Sequence, residues 1–162
     1  MTPYNLLPPD TRVWIYQCSR KLTDAEINLL NQKAIEFIST WTAHDLQLKT
    51  YFELRYEIFF FLMVDEKQAA ASGCSIDSSV RFIRELENVF GVSFTNRMLF
   101  AYRNNSKEIL IVDKNNFERL ANEGIISDET FVFNNLVTNK SELETGWEIP
   151  FSQSWHKKIV LS

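Results

Sequence analysis

From Arg12 to Ser19 the side chains alternate, with Val13 and Ile15 on one side and Trp14, Tyr16 and Cys18 on the other. A period of two predicts a strand. Thr23-Asp24-Ala25-Glu26 then has the form of a capping box, in which a Thr side chain and a Glu three residues on satisfy each other's free amides. Behind it Ile27, Leu30, Ala34, Phe37 and Trp41 recur at steps of three and four, which predicts a helix with one apolar stripe. A turn through Ala43-His44-Asp45 leads to a second alternating stretch, Leu48–Tyr56, and then to the unbroken apolar run Ile58–Val64. A run of that length reads as a strand buried on both faces. After a loop over Asp65–Gly73, Ser75 or Asp77 is positioned to cap a second helix with the stripe Ile76, Val80, Ile83, Leu86 and Phe90. Gly91 stops it in the left-handed conformation that glycine adopts without steric cost. Met98–Arg103 reads as a further strand.

Strand, helix, strand, strand, helix, strand is the order of a ferredoxin-like βαββαβ sandwich, an α+β fold with two helices on one face of a four-stranded antiparallel sheet. The predicted core is 12–103. The remainder, 104–162, is an α/β extension: a turn at Asn104-Asn105-Ser106, a strand Glu108–Val112, a helix Lys114–Asn122 capped by Asp113 and ended by Gly124, and a strand over Thr130–Phe133. Trp147 and Trp155 in the tail carry too much apolar area to leave in water, so the extension is expected to pack on the core as one domain, 1–162.

Composition sharpens this picture in two ways. Apolar residues are 45 % of the chain, with 13 Phe, ample for a core without disulfides or metals. The formal net charge is −4, and phosphate-backbone affinity rests on Lys and Arg, so nucleic-acid binding is not expected. Pro3, Pro8 and Pro9 make the first eleven residues an extended arm without a basic and apolar leader. No membrane span is expected either, because the longest apolar run is far short of the ~20 residues a bilayer requires. Cys18 and Cys74 make no CxxC pair, and a cytoplasmic, reducing location is the expectation.

The candidate chemistry centres on Gly73-Cys74-Ser75-Ile76-Asp77-Ser78-Ser79. A thiol at a helix N-terminus is stabilised as thiolate by free amides and the helix dipole. Cys74 is therefore a candidate nucleophile, with His44 as base and Asp77 beside it, and Ser75 and Ser78 are candidate ligands for a small anion. The plainer alternative makes Cys74 a small packed residue and its neighbours caps, with His44 and His156 on the surface. Glu53 and Arg55, sharing a strand face with Lys49 and Tyr51, are candidate ligand-binding residues or a simple solvated pair. Trp14, Tyr16, Tyr51, Phe100 and Tyr102 are expected on the sheet face away from the helices. Such a face stacks bases in some RNA-binding modules, although here the extension is expected to cover it. No metal site and no cofactor are expected. The chain's four glycines, Gly73, Gly91, Gly124 and Gly146, allow no phosphate loop, so a P-loop ATPase is excluded.

Val13-Trp14-Ile15-Tyr16-Gln17, Trp41-Thr42-Ala43-His44, Ser72–Val80, Val132–Val137 and Ser154-Trp155-His156 together resemble a family of small uncharacterised Bacteroidetes proteins, over nearly the whole chain. Its members are sometimes labelled "ABC transporter ATPase"; that label implies a Walker loop, which this sequence lacks, so the resemblance brings no activity. Phe117-Glu118-Arg119-Leu120, Gly124-Ile125-Ile126, Asp128-Glu129-Thr130 and Val132, followed by Trp147, resemble the small GYF-type interaction modules, which implies a binding role. The expected function is that of a cytoplasmic binding protein, its partner an unknown protein or a small anion; the alternative is a thiol-dependent enzyme centred on Cys74.

Overall fold

A computed structural model describes residues 1–67 and 69–161 of the chain. The fold is mixed α+β with antiparallel sheets. The chain forms two compact units: Met1–Thr95 with Thr138–Ser141, and Asn96–Val137 with Glu142–Ser162.

The first unit runs β1 (Arg12–Gln17), α1 (Asp24–Thr40), the short hairpin strands β2 (Thr42–Ala43) and β3 (Leu46–Gln47), β4 (Lys49–Arg55), β5 (Phe59–Asp65) and α2 (Gly73–Phe90). Its main sheet has the order β1-β5-β4, antiparallel throughout. β5 is central and every one of its residues is buried, which is why this segment needs no polar alternation. Phe60, Leu62 and Val64 form one core with Leu30, Ala34 and Ile38 of α1 and Phe82, Ile83, Leu86 and Phe90 of α2. Both helices thus lie on the same face of the sheet. The predicted capping box opens α1, with Thr23 accepting from the Glu26 amide and Glu26 from that of Thr23. The Arg20 guanidinium grips the same carboxylate through two 2.8 Å bonds and, with the Thr23 amide, holds it down at about 2. Arg20 also donates to the Phe90 carbonyl at 3.0 Å, tying the start of α1 to the end of α2.

The second helix differs from its predicted form. Its cap is Ser72, which accepts from the Ser75 amide, and not Ser75 or Asp77. The buried stripe is Ser75, Ser79, Phe82, Ile83, Leu86 and Phe90, so Ile76 and Val80 stand at its margin. Capping at Ser72, three residues before Ser75, turns the small hydroxyl residues Ser75 and Ser79 inward at the first turns. Gly91 ends the helix in the left-handed region at φ 63°, as expected. Glu87 then reaches past the end to accept from the amides of Phe94 and Thr95 at 2.7 and 3.0 Å. Burial alone would raise its carboxyl, but these bonds and the Thr95 and Ser93 hydroxyls carry it below its ordinary value.

The fourth strand of the expected ferredoxin-like sheet does not join the first three. Beyond β1, where that strand would lie, the backbone bonds from Val13 to Thr138 and from Lys140 to Thr11 are already made. Leu99–Arg103 is β6, and it belongs to the second unit with β7 (Ile109–Asp113), α3 (Lys114–Asn122), β8 (Phe131–Phe133), most of α4 (Lys140–Gly146), β9 (Glu148–Pro150) and α5 (His156–Leu161). The sheet order there is β7-β6-β8-β9. A five-residue turn joins β6 to β7, and closing so short a loop costs far less entropy than returning to a distant sheet. Phe100 and Tyr102 of β6, with Phe117 and Leu120 of α3, Ile126, Val132 and Phe151, form the core of this unit. Asp113 caps α3 by accepting from the Asn116 amide, and Gly124 follows at φ 76°, both as predicted.

Candidate functional site

At the start of α2 the residues singled out in the sequence sit in unequal surroundings. The Ser75 hydroxyl is buried and donates to the Ser72 carbonyl at 2.8 Å, so it is consumed by the cap. The Trp41 indole N–H donates to the Ser75 carbonyl at 2.8 Å, fixing the end of α1 against this first turn. The Ser78 hydroxyl donates to the Cys74 carbonyl at 2.9 Å. Cys74 and Asp77 are exposed. His44 is also exposed, at the tip of the β2–β3 hairpin, where it and Asp45 have φ 51° and 63°; two successive left-handed residues make the tight turn whose twist matches a hairpin. No hydrogen bond joins His44 to Cys74 or Asp77 among the described residues.

Cys18 and Cys74 are both free thiols in opposite settings. Cys18 is fully buried in the first core, and burial pushes its thiol up. Folded protein should therefore release one equivalent of thiol rapidly to dithionitrobenzoate, from Cys74, and the second only on denaturation. Cys74→Ser should remove the fast phase alone; two fast equivalents would show that the first core is open to solvent.

Glu53 and Arg55 are tied to each other. Arg55 Nε and an η-nitrogen donate to the Glu53 carboxylate at 2.6 and 3.2 Å, and the Tyr51 hydroxyl donates to it at 3.2 Å. The guanidinium also stacks over the Phe61 ring at 4.9 Å. Burial first, and then the Glu53 charge, raise the Tyr51 phenol. The expected aromatic face does not form: Trp14 and Tyr16 pack into the core on the helix side, Tyr51 lies on the other side, and Phe100 and Tyr102 fill the core of the second unit. Register is the reason. Trp14 and Tyr16 stand opposite Leu62 and Phe60, which point at the helices.

One concave feature of the first unit runs between α1 and α2. It is a groove of about 570 Å³ lined by Lys33, Glu36, Phe37, Thr40 and Trp41 on the α1 side and by Ser78, Arg81, Phe82 and Glu85 of α2. The Phe37 and Phe82 rings stack at 4.5 Å with 4° between their planes, and Trp41 lies 5.1 Å from Phe37. Lys33 bridges to Glu85 at 2.6 Å, linking the two helices. Arg81 is exposed and takes no partner among the described residues. Positions 74, 78, 81 and 85 fall on one line of a helix at 3.6 residues per turn. Cys74 and Ser78 thus stand on the α2 stripe that continues into the groove. The sequence signal for this was a second, polar stripe on each helix; reading only the apolar stripes passes over it.

His156 is the other residue the sequence misplaced. It is 2 % exposed, stacked on Trp155 at 4.0 Å and edge-on to Phe100 at 5.2 Å, with Nδ1 2.6 Å from the Ser154 hydroxyl. Burial pulls its imidazole down to about 4. Lys157 and Lys158 suggested a surface position, but a short helix turns neighbouring residues to different sides.

Among the described residues no group of three or more His, Cys, Asp or Glu side chains is placed to hold a metal ion, and no helix is long and apolar enough to cross a membrane. Compared with family models, with curated proteins and with solved structures, the chain matches none.

Proposed function

We propose that the chain is a non-enzymatic binding protein whose first unit holds a peptide in the groove between α1 and α2, and that it works in the cytoplasm. The observation that carries this reading is the groove's make-up: an aromatic floor of Phe37, Trp41 and Phe82 beside the unpaired Arg81. Aromatic surface supplies affinity at low entropic cost, and a cation without an intramolecular partner selects a carboxylate. The ligand is thus a segment carrying an acidic side chain next to an aliphatic or aromatic one. Two free thiols are in keeping with a reducing compartment. The GYF-type resemblance, which falls in the second unit, is in keeping with binding, and kinship with the Bacteroidetes family belongs to the same proposal without its ATPase label. The first unit is read as a ferredoxin-like sandwich reduced by its fourth strand, supported by the order β1-β5-β4 with both helices on one face.

The test is selection of peptides from a displayed random library on the whole chain. Enriched peptides should carry the acidic and apolar pair, and Arg81→Glu or Ser78→Trp should weaken them by about tenfold or more, roughly 1.4 kcal/mol, with unchanged melting temperature. Enriched peptides that bind both variants as well as the parent would place recognition elsewhere, and a library without enrichment would remove the reading.

A further inference from the structure

We infer that the outer edge of β7 pairs with the same strand of a second copy of this chain, antiparallel, about a two-fold axis at Ile111. This goes beyond the peptide groove and lies wholly within the second unit. The Asn104 amide donates to the Glu108 carbonyl at 2.9 Å and the Lys114 amide to the Met98 carbonyl at 3.0 Å. These bonds bracket the β6–β7 ladder, in which Phe100 faces Val112 and Tyr102 faces Leu110. Backbone groups along a strand point alternately to its two neighbours. Glu108, Leu110, Val112 and Lys114 therefore turn theirs toward β6, while Ile109 and Ile111 turn theirs outward. Among the described residues nothing bonds to those outward groups.

An open edge is ordinarily blunted by lysine, proline, a bulge or shortness. The other edge of this sheet, β9, has only three residues and ends in Pro150. β7 has none of these devices within Ile109-Leu110-Ile111-Val112, and its ladder to β6 is continuous over five residues.

The partner follows from register and charge. Outward groups sit at odd positions, so an antiparallel neighbour with the same pattern must oppose odd to odd. With the axis at Ile111, that residue meets its own copy and Leu110 meets Val112. Just beyond the strand ends, Glu108, which accepts from Asn104 at 3.0 Å, faces Lys114 of the second copy, which bridges to its own Glu118 at 2.5 Å, so the cation would stand between two carboxylates on each side of the axis. Moving the axis to Leu110 sets Glu108 against Val112 and leaves Asp113 facing Lys107, whose φ of 65° puts it in the turn. Asp113 does not need a counter-charge at the preferred register, since its carboxylate already caps α3. So short a junction belongs to the weak class of interfaces, with dissociation in the micromolar range.

Sedimentation equilibrium of the full chain should show 19.0 kDa at low concentration, rising toward twice that value at roughly 100 μM, as such an affinity requires. Ile111→Pro removes only an outward amide, so the β6 ladder survives, and the variant should remain at the single-chain mass. In a Cys74→Ser background, Ile111→Cys places two thiols across a bonded pair about 5.5 Å apart at Cα, within disulfide reach. Diamide should cross-link it to itself at least tenfold faster than Leu110→Cys. This second variant decides the matter even if the proline variant fails to fold. A single-chain mass at every concentration overturns the inference. So does a dimer that a folded Ile111→Pro retains, or equal cross-linking at Leu110→Cys and Ile111→Cys.

Discussion

Phe60→Ala should lower the unfolding free energy of the first unit by about 4 kcal/mol, within the range of about 3–5 for deleting a buried aromatic ring. Phe60 is fully buried at the centre of β5. Its ring lies 5.9 Å from Phe52 on the neighbouring strand and 6.2 Å from Phe82 on α2, so truncation leaves a void bordered by both layers. Strand and helix cannot both move into it, because β5 is held by ladders on two sides, to β1 and to β4. The cavity term is therefore kept on top of the lost transfer energy. Urea unfolding, followed by the fluorescence of Trp14 and Trp41, reads the loss. Val89→Ala, on the exposed side of α2 at 47 % exposure, should change it by no more than about 0.5 kcal/mol. A Phe60→Ala variant within about 1 kcal/mol of the parent would mean that β5 is not the centre of a packed core.

That the run Ile58–Val64 is central could be read directly from its residues, since only a strand covered on both faces dispenses with polar alternation. The capping box of α1, the Gly91 stop, and the Asp113 cap with Gly124 after α3 were equally legible, because each is a local bargain between side chain and backbone. What was not legible depends on long-range choices. Leu99–Arg103 has the same strand pattern whichever sheet it enters. Its destination was set by the Asn104–Glu108 turn and by Thr138–Lys140 occupying the edge of β1. The inward face of α2 was misjudged for a related reason: Ser75 and Ser79 look like surface residues, yet they are buried with their hydroxyls bonded to the Ser72 and Ile76 carbonyls. The groove needs two helices side by side, so only its separate stripes exist in the sequence. Cys74 shows the limit in the other direction. Its position at a helix start was legible, but whether a base stands beside it depends on where the β2–β3 hairpin places His44.

Lowering the pH from 7.5 to 5 should cost the second unit about 2 kcal/mol through His156 alone, and the sign follows from its burial. A histidine in the unfolded chain titrates near 6.5, whereas His156 in the folded chain is pulled down to about 4 by loss of solvent. Between those values the unfolded state binds the proton and the folded state does not, so stability falls as pH falls. Above about 6.5 both states are neutral and the contribution is complete; below about 4 both are charged and no more is lost. The full loss across the window is about 3 kcal/mol, at about 1.36 kcal/mol per unit of difference. The folded ring resists the proton because Trp155 and Phe100 enclose it and the Ser154 hydroxyl is the one polar group at Nδ1. A hydroxyl gives an imidazolium far less compensation than a carboxylate does. Glu87, whose carboxyl is held below its ordinary value, adds its own loss only once the pH approaches about 4.3, where an unfolded glutamate takes up its proton. The range from 6.5 to 5 is thus reserved for His156. Urea unfolding at half-unit steps should show the slope in the parent and in His44→Asn, and its disappearance in His156→Phe, which keeps the ring in the aromatic cluster and removes the titrating group. A slope that survives His156→Phe would mean that the histidine is solvated in the folded chain, and that α5 does not hold its first residue inside.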